Sequence, residues 1–267
     1  MTLPSSGQIT INQIHVEAGG SSGTEAKIND LDIRDMIGKS SGSQNAFNEY
    51  YGVSAAAPIA TYKGRIQTTS NGFPQGYVTL SSGTKVVVVC LSIPGYQNTF
   101  CNLGGVAMTL AASNAQNSMS AVYYLATSQS GSTLISGNGG SGRSVGHIWE
   151  ITGYNSSTPT ATAAFATSAS NYGTSYSETI SVATQYNGVT IGAGTTEDTI
   201  PANNNNVTVS NSDQLLQVDL ELATNHYSWK DENTSLGTTS YVCTQNNAGN
   251  NGSNTGTFHR LAVAHWK

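Results

Sequence analysis

Two carboxylates at alternate positions of one segment are the residues whose spacing comes nearest to catalysis. Asp219 and Glu221 share a face of a predicted strand and lie about 6–7 Å apart along it. Paired carboxylates could in principle serve glycoside hydrolysis. A solvated strand face explains the same spacing, and the chain holds only 15 acidic residues. We therefore predict no catalytic residue in this pair.

The other residue types that carry chemistry are scattered along the chain. The histidines follow no metal-ligand spacing, and we expect surface or structural roles for them: His15, His147, His226, His259 and His265. The three cysteines are an odd set, also without such spacing. We expect Cys90 to be a buried free thiol, with a Cys90–Cys101 bridge as the alternative. The glycine-rich run at 137–142 precedes no helix that could bind phosphate, so no metal or cofactor is predicted.

Aromatic side chains in polar segments are the remaining candidates for a binding site. Exposed rings can stack on sugars, and five residues lie where a loop could present them: Tyr96, Tyr172, Tyr176, Tyr227 and Trp229. For each of them, packing at the base of a loop or at a subunit interface is the more common role. We carry them forward as candidate contacts to a glycan or another receptor.

Composition excludes several classes of protein. Charged residues make up 9% of the 267 residues, and the net charge is −5. A nucleic-acid binder needs clustered Lys and Arg, which this chain lacks. No apolar run approaches the roughly 20 residues that span a bilayer, and no secretory signal is visible. The surface must instead be built from Ser, Thr, Asn, Gln and Gly, which suits a subunit of a large assembly.

Residues 1–54 read as a small helical module. Asn29 is a good helix cap, Ile33, Met36 and Ile37 form an apolar stripe, and Gly38 is a natural stop. A second turn runs from about Gln44 to Tyr51. Helices this short cannot bury their apolar faces alone. They must pack on the following domain, on copies of themselves or on another protein.

Residues 55–267 read as one β-domain. Alternating or continuous apolar segments predict strands at 85–91, 106–110, 121–126, 145–151, 180–182, 189–191, 217–222, 241–244 and 261–266. Asn187-Gly188 predicts a hairpin between two of them. Roughly eight to twelve strands with long polar connections are typical of a β-sandwich or jelly roll. The predicted fold class is therefore mainly β, a jelly-roll-like β-sandwich after a small helical module.

The opening residues resemble a short module found at the front of structural proteins of tailed phages, especially marine cyanophages and pelagiphages. The matching segments are Leu3-Pro4-Ser5-Ser6-Gly7-Gln8-Ile9, Asn12-Gln13-Ile14-His15-Val16-Glu17-Ala18-Gly19-Gly20, Ile28-Asn29-Asp30, Asp32-Ile33-Arg34 and Phe47-Asn48-Glu49-Tyr50-Tyr51-Gly52. They cover about a fifth of the chain. The resemblance implies a non-enzymatic virion protein that docks by this module. The residues expected to dock it are Ile28, Ile33, Met36, Phe47 and Tyr50.

The larger part is similar to a β-sandwich module of phage tail proteins and bacterial surface proteins. Its marks are Val86-Val87-Val88-Val89, Leu103-Gly104-Gly105-Val106-Ala107-Met108-Thr109, Val122-Tyr123-Tyr124-Leu125 and Ile148-Trp149-Glu150-Ile151-Thr152-Gly153-Tyr154. This resemblance implies a tail-fibre or tail-tip component, assembled in the host cytoplasm into the virion. Its expected partners are other virion proteins, further copies of itself with a trimer favoured, and a host-surface glycan or protein. A capsid decoration or head-fibre protein and a carbohydrate-binding or depolymerase module are the alternatives.

Overall fold

The computed structural model is built almost entirely from antiparallel strands. It describes residues 3–18, 22–30, 33–34, 36–37, 39, 42–53, 57–68, 72–94, 100–116, 118–138, 143–169, 175–185, 187–198, 205–221, 224–234, 237–247 and 257–267. Helix α1 spans Ile11–Glu17, and a 3₁₀ helix spans Phe47–Tyr50. The strands are β1 (Ile59–Thr68), β2 (Gly76–Leu80), β3 (Lys85–Pro94), β4 (Phe100–Leu103), β5 (Val106–Ala107), β6 (Thr109–Gln116), β7 (Ser118–Thr127), β8 (Gly131–Asn138), β9 (Ser144–Thr152), β10 (Ala161–Ala169), β11 (Ser175–Thr184), β12 (Gly188–Asp198), β13 (Asn205–Val209), β14 (Gln214–Glu221), β15 (Thr224–Thr234), β16 (Gly237–Asn247) and β17 (Thr257–Trp266). The predicted mainly β fold class is confirmed.

The N-terminal module folds around a small core of its own. Thr10 caps α1 in a capping box with Gln13, whose side-chain oxygen accepts the Thr10 N–H at 2.8 Å. The expected helix after Asn29 is described in part: Ile33 and Arg34 are helical, and the Arg34 N–H donates to the Asp30 carbonyl at 3.0 Å, four residues back as in an α-helix. The pieces bury their apolar side chains against one another, so the core consists of Leu3, Ile14, Ala18, Ile33, Met36 and Tyr50.

The strands form four sheets that belong to two consecutive sandwiches. In the first sandwich, the sheets have the orders β1-β9-β3-β7-β6 and β2-β8-β4-β5. In the second, the orders are β10-β17-β12-β15-β14 and β11-β16-β13. The domain expected to be one sandwich from residue 55 to 267 is therefore two, each made from one continuous half of that range.

The two sandwiches share one connectivity. In each, the first strand lies beside the last, the last beside the third, and the second strand beside the penultimate one in the other sheet. This is the strand order of a jelly roll. In the first sandwich β5 and β6, separated by Met108 alone, carry the chain from the smaller sheet to the larger, and β14 joins the larger sheet in the second. The fold is thus a tandem repeat of jelly rolls.

The larger sheets pack against each other, which makes a stack of four sheets. Along β3, Val87, Val89 and Leu91 enter the core of the first sandwich. Val86, Val88 and Cys90 point the other way, into a core shared with Val189, Ile191, Ala193, Ala262, Ala264 and Trp266 of the second sandwich. The apolar run at 85–91 is therefore explained by a sheet covered on both faces.

The Asn187-Gly188 turn differs from the predicted hairpin. Asn187 has φ 53°, and the Gly188 N–H donates to the Gln185 carbonyl at 3.2 Å, so a tight turn is present. The strands that flank it do not pair, because β11 pairs with β16 while β12 pairs with β15 and β17. The turn moves the chain from one sheet of the second sandwich to the other.

Candidate functional site

The residues expected to dock the N-terminal module lie mostly inside it. Ile33, Met36 and Tyr50 are buried in the core of the module, and Ile28 packs against that core. The Tyr50 hydroxyl also accepts a hydrogen bond from the Asn45 side chain at 2.9 Å. Phe47 alone among the five presents much of its ring to solvent, with 43% exposed. The prediction that these residues dock the module is corrected, because the short loops fold the apolar stripe back onto α1 and bury it.

A groove separates this module from the second sandwich. Its volume is about 420 Å³, and the module side is formed by Met36, Ile37, Tyr51, Gly52 and Val53. The opposite side is formed by Tyr154, Asn155, Ser156, Thr160, Gln185 and Lys267. One wall is largely apolar and the other mixes amides, hydroxyls and a lysine. The module therefore lies beside the start of β10 and the end of β11.

Two of the predicted contact aromatics are core residues. Tyr227 and Trp229 are almost completely buried, and their rings stack at 6.0 Å between centroids. Trp229 also lies against Tyr241. Neither ring can meet a ligand at the surface, because β15 is an inner strand and these positions face the interior of the second sandwich. Both are therefore removed from the set of candidate contacts.

The other three predicted aromatics have no described side chains. Tyr96 and Tyr172 lie outside the described residues, and Tyr176 is described only as a backbone position of β11 opposite Gln245. The side chains of Asp219 and Glu221 are likewise outside the described part, although their strand β14 is present. The proposed carboxylate pair and these three contacts stay predictions.

Exposed aromatics occur where the sequence analysis did not place them, on the first sandwich. Tyr77 on β2 is 71% exposed, and Phe100 on β4 is 47% exposed. Tyr77 stands opposite Leu134 on the outer face of the smaller sheet. Its neighbours Val78 and Leu80 are buried. The alternation of Tyr77, Val78, Thr79 and Leu80 was the signal that could have located this ring on the outer face.

Buried polar side chains meet in the interface between the sandwiches. The Ser92 hydroxyl lies 2.6 Å from Nδ1 of His226 and also hydrogen bonds to Thr195. Ser120 bonds to the same Thr195 hydroxyl at 2.9 Å and donates to the Arg260 carbonyl at 2.8 Å. These residues connect β3 and β7 with β12, β15 and β17. They tie the two sandwiches together at one end of the shared core.

A second part of this polar seam lies around Trp149. The Trp149 indole N–H donates to the Ser228 hydroxyl at 2.9 Å. At the rim, the Lys230 ammonium donates to the Ala60 carbonyl at 3.0 Å, and Glu232 accepts the Ala60 N–H at 2.8 Å. Each of these bonds crosses from one sandwich to the other. The seam therefore fixes how the two sheets align, which apolar packing alone does not.

The Ser92–His226 pair resembles the nucleophile and base of a hydrolase only in residue type. Both side chains are buried, with 2% and 0% exposed. A catalytic serine must meet a substrate and needs donors for the developing oxyanion. Burial lowers the pKa of His226 to about 3, with a smaller contribution from the nearby His147 charge, so the ring is neutral at pH 7. The pair is a structural hydrogen bond.

His147 is the second imidazole of this interface. Its Nδ1 lies 3.3 Å from the Tyr62 hydroxyl, and burial with the nearby Arg65 charge lowers its pKa to about 4. Among the described residues, Nε2 of His147 and Nε2 of His226 have no hydrogen-bond partner. Protonation of either ring would place a charge in the shared core. This lowers the stability of the folded protein at low pH.

The cysteines are free thiols with no part in a site. Cys90, Cys101 and Cys243 are all buried, and the buried thiol expected for Cys90 is confirmed. The alternative bridge is absent because Cys90 faces the shared core and Cys101 the core of the first sandwich. Burial raises the pKa of each thiol to about 12. Within the described residues no group of His, Cys, Asp and Glu could hold a metal.

Comparisons with known proteins add no relative. No family model, curated protein or solved structure matches the chain. In the described part of the chain, no helix has the length and apolar character needed to cross a membrane. The exposures of Phe47 and Tyr77 mark two candidate surfaces, one on the N-terminal module and one on the outer face of the first sandwich.

Proposed function

We propose that this chain is a non-enzymatic structural protein of a tailed-phage virion, a tail-fibre or tail-tip component. The N-terminal module attaches the subunit to other virion proteins, and the two jelly rolls are presented to the host surface. The observation that carries the proposal is the separate core of the module, built from residues 3–53 without any strand residue. An attachment module needs such a core, because it must keep its shape while the β-part projects away from it.

The composition of the β-part supports a role in display. Its surface is built from hydroxyl and amide side chains, and 9% of the chain is charged. The likeness of residues 3–52 to the opening module of phage structural proteins supports the assignment to a particle. Phe47 at 43% and Val16 at 37% are the large apolar side chains that the module offers to a partner. Docking therefore uses these two residues in place of the buried Ile33, Met36 and Tyr50.

Labelling of intact particles tests the proposal. Gold-labelled antibody against residues 60–267 should mark the tail end of particles of the encoding phage. Label over the head would support the alternative of a decoration or head-fibre protein. Particles that carry no label, while the antibody detects the protein in infected cells, would contradict a virion role altogether.

Two variants locate the docking surface. Deletion of residues 1–52 should leave folded jelly rolls that no longer enter particles. Val16→Asp/Phe47→Asp should have the same effect on incorporation with the module intact, because two charges replace its exposed apolar side chains. Tyr77→Asp/Phe100→Asp places two charges on the first sandwich instead and should enter particles normally. Incorporation of the truncated chain would show that docking lies elsewhere.

Glycan binding is a second candidate, favoured by the exposure of Tyr77. An aromatic ring with 71% of its surface free can stack on a sugar ring. A glycan array probed with the full chain would show binding that Tyr77→Ala abolishes and Tyr51→Ala does not. An array without signal would leave a host protein as the receptor within the first proposal.

A further inference from the structure

Four strands with an unpaired edge lie on one side of the four-sheet stack. They are β5, β6, β10 and β11, the edge strands of the four sheets, and we call this side the uncharged wall. β6 contacts β10, and β10 contacts β11, so the edges follow one another through the stack. β5 runs into β6 through Met108. The opposite side is formed by β2, β1, β14 and β13.

The uncharged wall has an unusual composition for a set of edge strands. Glu178 is the one charged residue in the sequences of these four strands, and none of them contains proline. The opposite side carries Lys63 and Arg65 on β1, and Asp219 and Glu221 on β14. Charge and proline are the usual devices that keep an exposed strand edge from pairing with another chain. Apart from Glu178 the wall lacks both, and its other protection is confined to the two-residue β5 and the bulge of β6 between Leu110 and Ala112.

The exposed side chains of the wall also suit contact with another chain. Val106 is 47% and Leu110 46% exposed, at the point where β5 passes into β6. Thr162 and Ala164 on β10 are exposed as well. Within the described part of the chain, each of the four strands pairs on one side only. The wall therefore combines free backbone donors and acceptors with small, uncharged side chains, which is the surface that another strand edge fits.

We propose that the uncharged wall is the surface by which two copies of this chain associate. Two chains of net charge −5 repel each other, and a face with a single carboxylate lets them approach at the lowest electrostatic cost. The unpaired backbone N–H and C=O groups of one wall can hydrogen bond to another strand edge. The wall of a second copy presents such an edge. Because each copy uses the same patch, the assembly is a two-fold dimer. It replaces the trimer that the resemblance implied.

The wall is large enough for a stable dimer. Strands β6, β10 and β11 have eight to ten residues and run about 30 Å, and three sheets, each about 10 Å thick, span about 30 Å, so these three strands cover about 900 Å². A standard interface buries about 800 Å² on each partner. The inference concerns the isolated protein and holds whether or not the chain belongs to a virion. Failure in the test below therefore leaves the proposed function standing, and loss of particle labelling leaves the dimer standing.

Mass measurement on matched variants tests the dimer. Sedimentation velocity of the full chain should give twice 27.8 kDa. Ala164→Lys/Thr179→Lys places two charges on β10 and β11 of the wall and should halve the mass. Thr61→Lys/Thr208→Lys places the same two charges on exposed positions of β1 and β13, on the opposite side, and should leave the dimer intact. Circular dichroism checks that both variants keep the β fold.

Backbone hydrogen exchange gives an independent readout that needs no variant. On dilution of the wild-type chain, amides of β10 and β11 should lose protection while amides of β1 and β13 keep theirs. A monomeric wild-type chain, a trimer, or an Ala164→Lys/Thr179→Lys variant with wild-type mass would overturn the proposal. The proposal would also be overturned if dilution lowered the mass of the chain while the amides of β10 and β11 kept their protection.

Discussion

At the scale of single residues, burial decides the role of nearly every polar side chain in the interface. Ser92, His226 and Thr195 are residues that chemistry often uses, yet all three are almost fully enclosed. Their hydrogen bonds satisfy groups that would otherwise be buried without a partner. A neutral imidazole serves this purpose, and a charged one does not. Histidine protonation is therefore the change to which the interface is most sensitive.

The first prediction is a loss of stability at acidic pH. Burial lowers the pKa of His147 to about 4 and that of His226 to about 3, against 6.5 for an exposed histidine. Well above pH 6.5 both imidazole rings are neutral in the folded and in the unfolded chain, and the folded protein has its full stability. As the pH falls, the unfolded chain binds protons that the folded chain excludes, so the free energy of unfolding decreases down to about pH 4 for the His147 contribution and about pH 3 for that of His226. Urea unfolding at pH 7.5, 6, 5 and 4.5 measures this decrease.

A single substitution separates His147 from the other histidines. His147→Gln keeps a neutral side chain in the interface and removes one titrating group. At about 1.4 kcal/mol per pKa unit, His147 accounts for at most about 3 kcal/mol of the decrease, and the variant should show a smaller decrease by up to that amount. His265 and His259 remain in the variant and keep part of the pH dependence. A wild-type stability that is constant from pH 7.5 to 4.5 would refute the prediction.

At the scale of elements, strand β12 shows how one sequence pattern serves two surfaces. Val189, Ile191 and Ala193 face the shared core. The alternate positions face the interior of the second sandwich, where Gly192 lies under the Trp229 ring and Gly194 under Tyr227. The glycines provide the space for two large rings on the neighbouring strand. The sequence analysis predicted a strand at 189–191 and assigned no role to these glycines.

The second prediction concerns the space that Gly192 leaves for the Trp229 ring. A Cβ at Gly192 would lie 2.1 Å from Cζ2 of Trp229, so Gly192→Ala forces the indole out of its position. Overpacking of this kind costs about 1–3 kcal/mol in free energy of unfolding, measured by chemical denaturation. The double variant Gly192→Ala/Trp229→Leu should cost less than the sum of the two single variants, because the smaller side chain makes room. Additive effects would show that the close contact is not the cause.

At the scale of the whole molecule, the two jelly rolls form one folding unit. Each brings one face of its larger sheet to the shared core, including Val86, Val88 and Trp149 from the first and Val189 and Trp266 from the second. Separation of the two would expose all of these side chains to water. The repeat of connectivity therefore does not make the sandwiches independent domains.

The third prediction follows from the shared core. Residues 57–154 and residues 157–267, produced separately, should aggregate or bind a dye specific for exposed apolar surface, since each leaves one sheet face uncovered. Co-expression of the two pieces should restore a soluble 1:1 complex. The matched control is removal of residues 1–52, which should leave the β-part folded because the module has its own core. A stable, dye-free monomer of either half would contradict the prediction.

Much of the fold could be predicted, but the candidate site could not. Strand periodicity located β3, β7, β9 and β17, and the continuous apolar run at 85–91 belongs to a strand that the structure covers on both faces. Polar surroundings in the sequence suggested that Tyr227 and Trp229 were exposed, yet their neighbours on adjacent strands bury them. The predicted apolar stripe of Ile33, Met36 and Ile37 packs in or against a core, and that core belongs to the module itself.

The sequence by itself determined the elements of this protein: the change from short helices to strands near residue 55, the apolar faces of the strands and the low charge. These properties depend on residues that are close together along the chain. Only the tertiary structure decided that the β-part is two jelly rolls, that Ser92 meets His226, and that four edge strands with a single charged residue lie on one side. Those facts depend on pairing between strands far apart in sequence, such as β1 with β9 and β10 with β17. Local patterns do not specify such partners, because a strand with one apolar face packs equally well on many others.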